Sequence, residues 1–420
     1  MIKPNSWKAR TPVRGQNGNS LLVGFVIASI ALLLLGVSGC GDSPGAVASP
    51  DDENSSDGFM VLASHRFEGA EAEGWVTAIG YSAPQILVGT KIGLKFLKIA
   101  EDQEDGKATI ELKDDGALMD PVIRGHAPLT FPITRIVSEK GNSFICSEDG
   151  YASYDGRNFS SESIGKITDM VEFEGTIWAG RTSGLERKVG KDWHKQTVES
   201  IKLNQSRSNN VKRFICDDRN RLWIGSEFGL FYYDKADASK WGPHLYGDYQ
   251  NLVQSEVINE RGNCPLAGNV VNDMVFDAAG KRIFVATETG MSIVPLEEKI
   301  EWITLQGDHE VLSSESGDGL HRVTRRGNLA LSSTDMTSVA YFGKWVFLGT
   351  SGGLVRIDLE AFRKKPDNAG SFMKIYDTES GLPADPVTSL YVMEESRRLI
   401  VGTEAGIAIM GPLDTGASTN

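Results

Sequence analysis

Cysteine is scarce in this chain. There are four in 420 residues, and Cys40 stands at the end of a leader-like N-terminus. Cys146, Cys216 and Cys264 remain, an odd number, which argues against a disulfide framework outside the cytoplasm. Cys146 and Cys216 lie in strand-like runs and read as small buried hydrophobes. Cys264, in the polar run Gly262-Asn263-Cys264-Pro265, reads as the exposed thiol. Histidine is almost as rare. His65, His126, His194, His244, His309 and His321 are scattered with no close pair, so no metal site is expected. Excess positive charge is missing too: the formal net charge is −13. The first 39 residues carry Lys3, Lys8, Arg10 and Arg14 and no acid, which leaves −17 on the rest. An acidic body repels phosphate backbones, which disfavours nucleic acid as a partner. Phosphate-loop and nucleophile-elbow motifs are lacking. Asp217-Asp218-Arg219-Asn220 has neither the glycine nor the distal glutamate of a calcium loop and reads as a turn. No cofactor is expected.

The N-terminus reads as an address. Basic residues up to Arg14 precede an apolar segment, Leu21 to Leu35, that is short for a membrane span. Small residues and a cysteine follow, the layout of a secretory signal. Leu35-Gly36-Val37-Ser38-Gly39-Cys40 resembles the bacterial lipoprotein signal, an aliphatic residue and two small ones ahead of an obligatory cysteine. The resemblance implies cleavage before Cys40 and a lipid on its sulfur. Residues 41–57 are small, polar and acidic, a tether rather than a folded segment. The expected organisation is a signal peptide over 1–39, a lipid-anchored tether over 40–57, a folded body over 58–412 and a disordered tail over 413–420. The lipid is then the only membrane contact. Gly41, where an aspartate would retain the protein at the inner membrane, favours the periplasmic side of the outer membrane.

What is abundant is glycine in a repeated frame. Seven times a short apolar run ends in a small residue, with a glycine four positions later. Leu348-Gly349-Thr350-Ser351-Gly352-Gly353-Leu354 is the clearest copy. The small residues are Gly89, Cys146, Gly180, Gly225, Ala286, Gly349 and Gly402. Each frame reads as two strands joined by a tight glycine turn. The small residue suits a place where neighbouring units press their second strands together. Over residues 371–410 the pattern gives four strands: 371–376, 387–392, 399–403 and 406–410. Repeated four-stranded antiparallel units predict an all-β fold, a seven-bladed β-propeller. The last unit ends near Met410 without an outer strand. Residues 59–67, ahead of the first unit, supply it and close the ring.

Leu222-Trp223-Ile224-Gly225-Ser226 with Gly229-Leu230-Phe231-Tyr232-Tyr233-Asp234, and Val346-Phe347-Leu348-Gly349-Thr350 with Gly353-Leu354-Val355-Arg356-Ile357-Asp358, carry a family likeness. They resemble the two-component regulator propeller repeat, as does Ile177-Trp178-Ala179-Gly180, over about residues 74–410. Ser380-Gly381-Leu382-Pro383 looks like that family's inter-blade turn. Such repeats often form the periplasmic sensor of a membrane histidine kinase. No kinase or receiver segment follows the repeats in this sequence, so the resemblance implies ligand or protein binding without the kinase.

In such blades the turn between the second and third strands shares a face with the link to the next blade. The long links 116–132, 200–210, 243–270 and 307–335 therefore gather at one mouth of the central channel. The same face collects Lys91, Arg181, Glu227, Glu288 and Glu404. With His244 and Tyr246 of the aromatic loop 241–249, these are the candidate ligand-binding residues. Trp178, Trp223 and Trp345 read as core, and Trp193, Trp241 and Trp302 as blade packing. The expected function is a non-enzymatic envelope module that binds a protein or glycan partner through the loop-rich face. Two alternatives stand beside it. One is a lyase or hydrolase with acids and His244 at the channel mouth; the other is an assembly scaffold for envelope proteins.

Overall fold

A computed structural model describes residues 58–414, except 68–73, 103–108, 115–131, 140, 197–208, 236–239, 254–255, 298–300, 314–320, 330, 332 and 367. The signal, the tether with Cys40, and residues 415–420 lie outside the described residues.

Seven four-stranded antiparallel sheets follow one another along the chain. The first comprises Val76–Ser82, Gln85–Thr90, Leu94–Asp102 and Thr109–Asp114. The first strands of the others are Ile133–Glu139, Asp169–Phe173, Val211–Cys216, Val271–Asp277, Met336–Phe342 and Val387–Met393. Each first strand touches the first strand of the next sheet, and the seventh touches the first. The sheets are thus blades of a closed seven-bladed propeller whose first strands line the axis.

The ring closes as the sequence predicts. Met60–Arg66 pairs antiparallel with Gly406–Gly411, from Met60 opposite Gly411 to Arg66 opposite Gly406. Phe59 just before it is buried, with its ring centroid 5.4 Å from those of Phe347 and Tyr376. The four-strand unit read at 371–410 straddles two blades. Met373–Tyr376 is the outer strand of the sixth blade, paired with Gly353–Asp358. Leu413, assigned to the tail on sequence, is buried instead, and its N–H donates to the Arg397 carbonyl.

The small residue of each repeat has a specific neighbour. It meets the first strand of the next blade, not its second strand. A Cβ on Gly89 would lie 2.6 Å from Ile133 Cγ2, on Gly180 2.7 Å from Val211 Cγ1, and on Gly402 2.6 Å from Val76 Cγ1. Gly225 stands likewise against Val271, and Gly349 against Val387. Ala286 is tolerated where the next blade opens with Met336, an unbranched side chain that can give way. We expect Gly225→Ala to lower stability by about 1–3 kcal/mol through overpacking. A urea midpoint equal to wild type would show that the seam adapts.

The Ser or Thr after the small residue ties the hairpin. Thr350 Oγ1 donates to the Gly353 carbonyl at 2.9 Å and Thr403 Oγ1 to that of Gly406 at 2.9 Å. Thr90, Ser147, Ser226 and Thr287 do the same to Gly93, Gly150, Gly229 and Gly290. Arg181 occupies this place in the third blade. Gly406 has φ 150°, and a Cβ there would strike the His65 carbonyl of the closing strand. The hinge glycine thus serves a left-handed turn and a close strand crossing together.

Trp178, Trp223 and Trp345 are buried, as expected of core. Cys146 is buried as well. Cys264 departs from the reading as an exposed thiol. It packs against the cluster around Trp223 and Leu266, and burial pushes its thiol up to about 11. Cys216 is half-buried, and burial pushes its thiol up to about 12.

Two further hairpins lie in the inter-blade links. Tyr249–Val253 pairs with Glu256–Glu260 between the fourth and fifth blades. His309–Ser313 pairs with His321–Arg325 between the fifth and sixth. The Gln250 side chain joins them: its Nε2 donates to the Leu312 carbonyl and its Oε1 accepts from the Leu312 N–H, each at 3.0 Å.

Candidate functional site

Six of the seven axial strands open with the same irregularity. Register slips by one residue between Val76 and Ala78, Ile133 and Arg135, Val211 and Arg213, Val271 and Asp273, Met336 and Ser338, and Val387 and Ser389. The extra residue of each bulge is Thr77, Thr134, Lys212, Asn272, Thr337 or Thr388. Thr168 holds the equivalent place just ahead of the third blade's strand, where its N–H donates to the Gly180 carbonyl. A bulge turns one side chain out of the ladder and commonly marks a functional rim. Thr134, Thr168, Lys212, Asn272 and Thr337, with Arg213 and Asp335, line a cavity of about 280 Å³ at this end of the axis.

Hydrogen bonding divides the cavity into two sides. Asn272 Nδ2 donates to Asp335 Oδ1 and to the Met336 carbonyl, both at 3.0 Å. Its two protons are spent, so only the amide oxygen can serve a ligand. Thr337 Oγ1 donates to the Val387 carbonyl at 2.6 Å, leaving acceptor capacity. Asn272, Asp335 and Thr337 therefore make an acceptor side. Lys212, Arg213 and Thr168, from the third and fourth blades, make a donor side. The Thr168 hydroxyl is buried without a partner among the described residues, and the Lys212 ammonium is 3.9 Å from Glu227. Burial pulls the Lys212 ammonium below its ordinary range and pushes the Asp335 carboxyl above its own.

Below the mouth, the next residue of four axial strands is charged. Arg135, Asp169, Arg213 and Asp273 come from the second, third, fourth and fifth blades. Arg213 Nε donates to Asp273 Oδ1 at 3.1 Å, and Arg135 Nη2 lies 3.4 Å from the same oxygen. Arg135 Nε is 3.7 Å from Asp169. Each carboxylate also accepts a backbone N–H from the following blade: Asp169 from Phe214 at 2.8 Å, Asp273 from Val339 at 3.1 Å. Burial pushes the Asp169 carboxyl up, against the pull of both guanidinium groups. The quartet floors the mouth and staples inner strands of adjacent blades.

The residues singled out on sequence have other surroundings. Glu227 borders the cavity through Lys212. The Lys91 ammonium lies over the Trp75 ring, 2.9 Å from its centroid. Arg181 pairs with Glu186 and donates to the Ile164, Gly165 and Lys166 carbonyls, clamping the link into its own blade. Glu288 accepts from the N–H groups of Asn269 at 3.0 Å and Val270 at 2.8 Å, a second link clamp. The Glu404 N–H donates to the Pro386 carbonyl. Tyr246 stacks on Phe228, centroids 5.7 Å apart. His244 is buried beside Phe228, Phe231 and Tyr246, with Nε2 bound to the Phe228 carbonyl. Asp217 accepts from Arg221 and the Trp223 indole, the turn role expected of it.

Burial lowers the His244 pKa from its ordinary value of about 6.5. The carbonyl partner requires a proton on Nε2, and burial of the ring favours its neutral form. The unfolded chain then binds more protons than the folded one below neutrality, so stability falls as pH drops through about 6.5. Wild type is expected to lose more stability between pH 7 and pH 5 than His244→Gln. Parallel curves for the two proteins would refute this.

The bulge residues had a readable signal that the glycine frame obscured. A hydrophobic residue followed by Thr, Lys or Asn recurs a dozen or so positions before each small residue: Val76-Thr77, Ile133-Thr134, Ile167-Thr168, Val211-Lys212, Val271-Asn272, Met336-Thr337 and Val387-Thr388.

These features define a seven-bladed propeller with a polar, charge-bearing pocket on its axis. Among solved structures the chain is similar to the extracellular domain of the hybrid two component system BT3049 from B. thetaiotaomicron. Identity is 14%, the TM-score 0.53, and the match covers 83% of this chain and 41% of that one. The extracellular domain of BT4673 from the same organism matches at 15% identity and TM-score 0.53, over 82% of this chain and 39% of that one. The chain thus spans about two-fifths of the length of these neighbours, and the likeness is one of fold. No protein-family model matches the sequence, and no curated protein does.

Proposed function

We propose that the protein is a ligand-binding propeller of the bacterial cell envelope, held at a membrane by a lipid on Cys40. The axial mouth is its recognition site. The observation that carries this reading is the set of bulged residues from the second, fourth, fifth and sixth axial strands, with Thr168 of the third, converging on one cavity of about 280 Å³. Its volume lies at the lower end for small-molecule sites, and loop-bearing ends of rigid scaffolds are where such sites occur. The fold likeness to extracellular domains of two component systems supports an envelope sensor-like role, and the lipoprotein-like N-terminus supports the anchor. The enzyme alternative needed His244 among acids at the mouth, whereas its ring is buried against Phe228 and Phe231.

A protein partner is the second reading. The two link hairpins expose Ile258, Leu312 and Val323, each at least 36% accessible, on joined supports. Affinity capture from envelope extracts separates the readings when wild type is compared with Thr168→Trp, which fills the mouth. Loss of a bound small molecule or glycan with Thr168→Trp is the expected result. An unchanged set of captured molecules would overturn the mouth as the site.

A further inference from the structure

Besides Arg213, which is tied to Asp273, the mouth carries the Lys212 ammonium and the Asp335 carboxylate, which attract each other across the cavity without forming a contact ion pair. Lys212 stands on the donor side and Asp335 on the acceptor side of the cavity. Lys212 has a distant ion-pair partner in Glu227 at 3.9 Å, and one Asp335 oxygen is held by Asn272. Both ions are less hydrated than at an open surface, and burial disfavours the charged form of each. A ligand with one charge of each sign would satisfy both. A purely anionic ligand would meet Asp335, and a purely cationic one would meet Lys212 and Arg213.

We infer that the axial mouth binds a small zwitterion of the α-amino acid type. The inference rests on the reading of the mouth as a ligand site. The ligand carboxylate accepts from the Lys212 ammonium, with Thr168 lining the wall beside it. Its ammonium donates to Asp335 and to the Asn272 amide oxygen, which is confined to accepting because both Nδ2 protons are engaged. Thr134 and Thr337 complete the wall. Their hydroxyl protons go to the Ile167 and Val387 carbonyls, both at 2.6 Å, so toward a ligand they too are acceptors. The cavity of about 280 Å³ accommodates a free amino acid and is small for an oligosaccharide. An uncharged sugar would leave Lys212 only its long contact with Glu227 and Asp335 only its hydrogen bond from Asn272.

The test is a melting-temperature screen of the purified protein against the twenty standard L-amino acids, neutral disaccharides and simple carboxylates, followed by calorimetry. At least one amino acid is expected to bind. Lys212→Met and Asp335→Asn should each weaken it at least about tenfold, the scale of one lost charge-assisted contact. N-acetylation or removal of the ligand carboxylate should do the same. Equal affinity for the deaminated acid, or no response to any amino acid, would overturn the zwitterion inference. A disaccharide bound by wild type and lost in Thr168→Trp would overturn it while leaving the mouth as the site. Binding of any screened compound that Thr168→Trp leaves intact would overturn both readings.

Discussion

Asp273→Ala is expected to cost about 3–5 kcal/mol of stability, the range for breaking a buried ion pair by removing one partner. Asp273 is 4% accessible, and one of its oxygens faces both Arg213 and Arg135. Truncation leaves two half-buried guanidinium groups with Asp169 as their remaining carboxylate in the quartet. It also strips the Val339 N–H of its acceptor. An orphaned buried donor adds its own desolvation cost of about 1–3 kcal/mol, part of the same total. Asp273→Asn keeps an acceptor for Val339 and removes the charge, so it isolates the electrostatic share. The sharper comparison is the double variant Asp273→Leu with Arg213→Leu. It removes one charge of each sign and leaves the Arg135–Asp169 contact at 3.7 Å. The double variant should be less destabilised than the sum of its single variants. Urea unfolding of wild type and of each of these variants measures the losses. A loss below about 1 kcal/mol for Asp273→Ala would mean that water enters the channel and solvates the arginines.

The ring was legible in the sequence, and the mouth largely was not. Gly349-Thr350 and Gly353 repeat because every blade solves the same packing problem. The small residue makes room for the next blade's Val387, the hydroxyl closes the turn, and the glycine crosses the outer strand. A constraint shared by all blades leaves a periodic mark. The residues of the mouth face the axis, where the blades have no need to agree. Lys212 and Asn272 interrupt a series of threonines, and Arg213 meets Asp273 across 60 positions of sequence. No local spacing encodes that meeting. It exists because bulges at the same height on different strands converge on one axis. His244 misled for the opposite reason. Its aromatic company, Phe228, Phe231 and Tyr246, looks site-like in sequence but serves to bury the ring. Arg181 and Glu288 lie on the link-bearing face as expected, yet hold the links rather than lining the cavity. Turn residues nearest a link are recruited to satisfy its backbone, and residues one step deeper are left lining the cavity.

Removal of the closing strand should be the most damaging change of all. Met60–Arg66 is the outer strand of the seventh blade, so its loss exposes the ladder edge of Gly406–Gly411. Ile407, Ile409 and Met410 on that strand are fully buried with the closing strand in place. An unpaired edge bearing apolar side chains is a template for association between chains. Phe59 and Phe67 leave with the segment, and Phe59 also spans to Phe347 and Tyr376 of the sixth blade. Deleting residues 58–70 should therefore remove the protein from the soluble fraction. Phe59→Ala is the variant that keeps the strand and tests the anchor alone. It should cost about 3–5 kcal/mol, as for a buried phenylalanine truncated to alanine. Its melting transition should stay cooperative, because the hydrogen-bonded closure remains. If the deletion variant stays soluble with an unchanged melting temperature, the seventh blade is stable as three strands and the closure is dispensable.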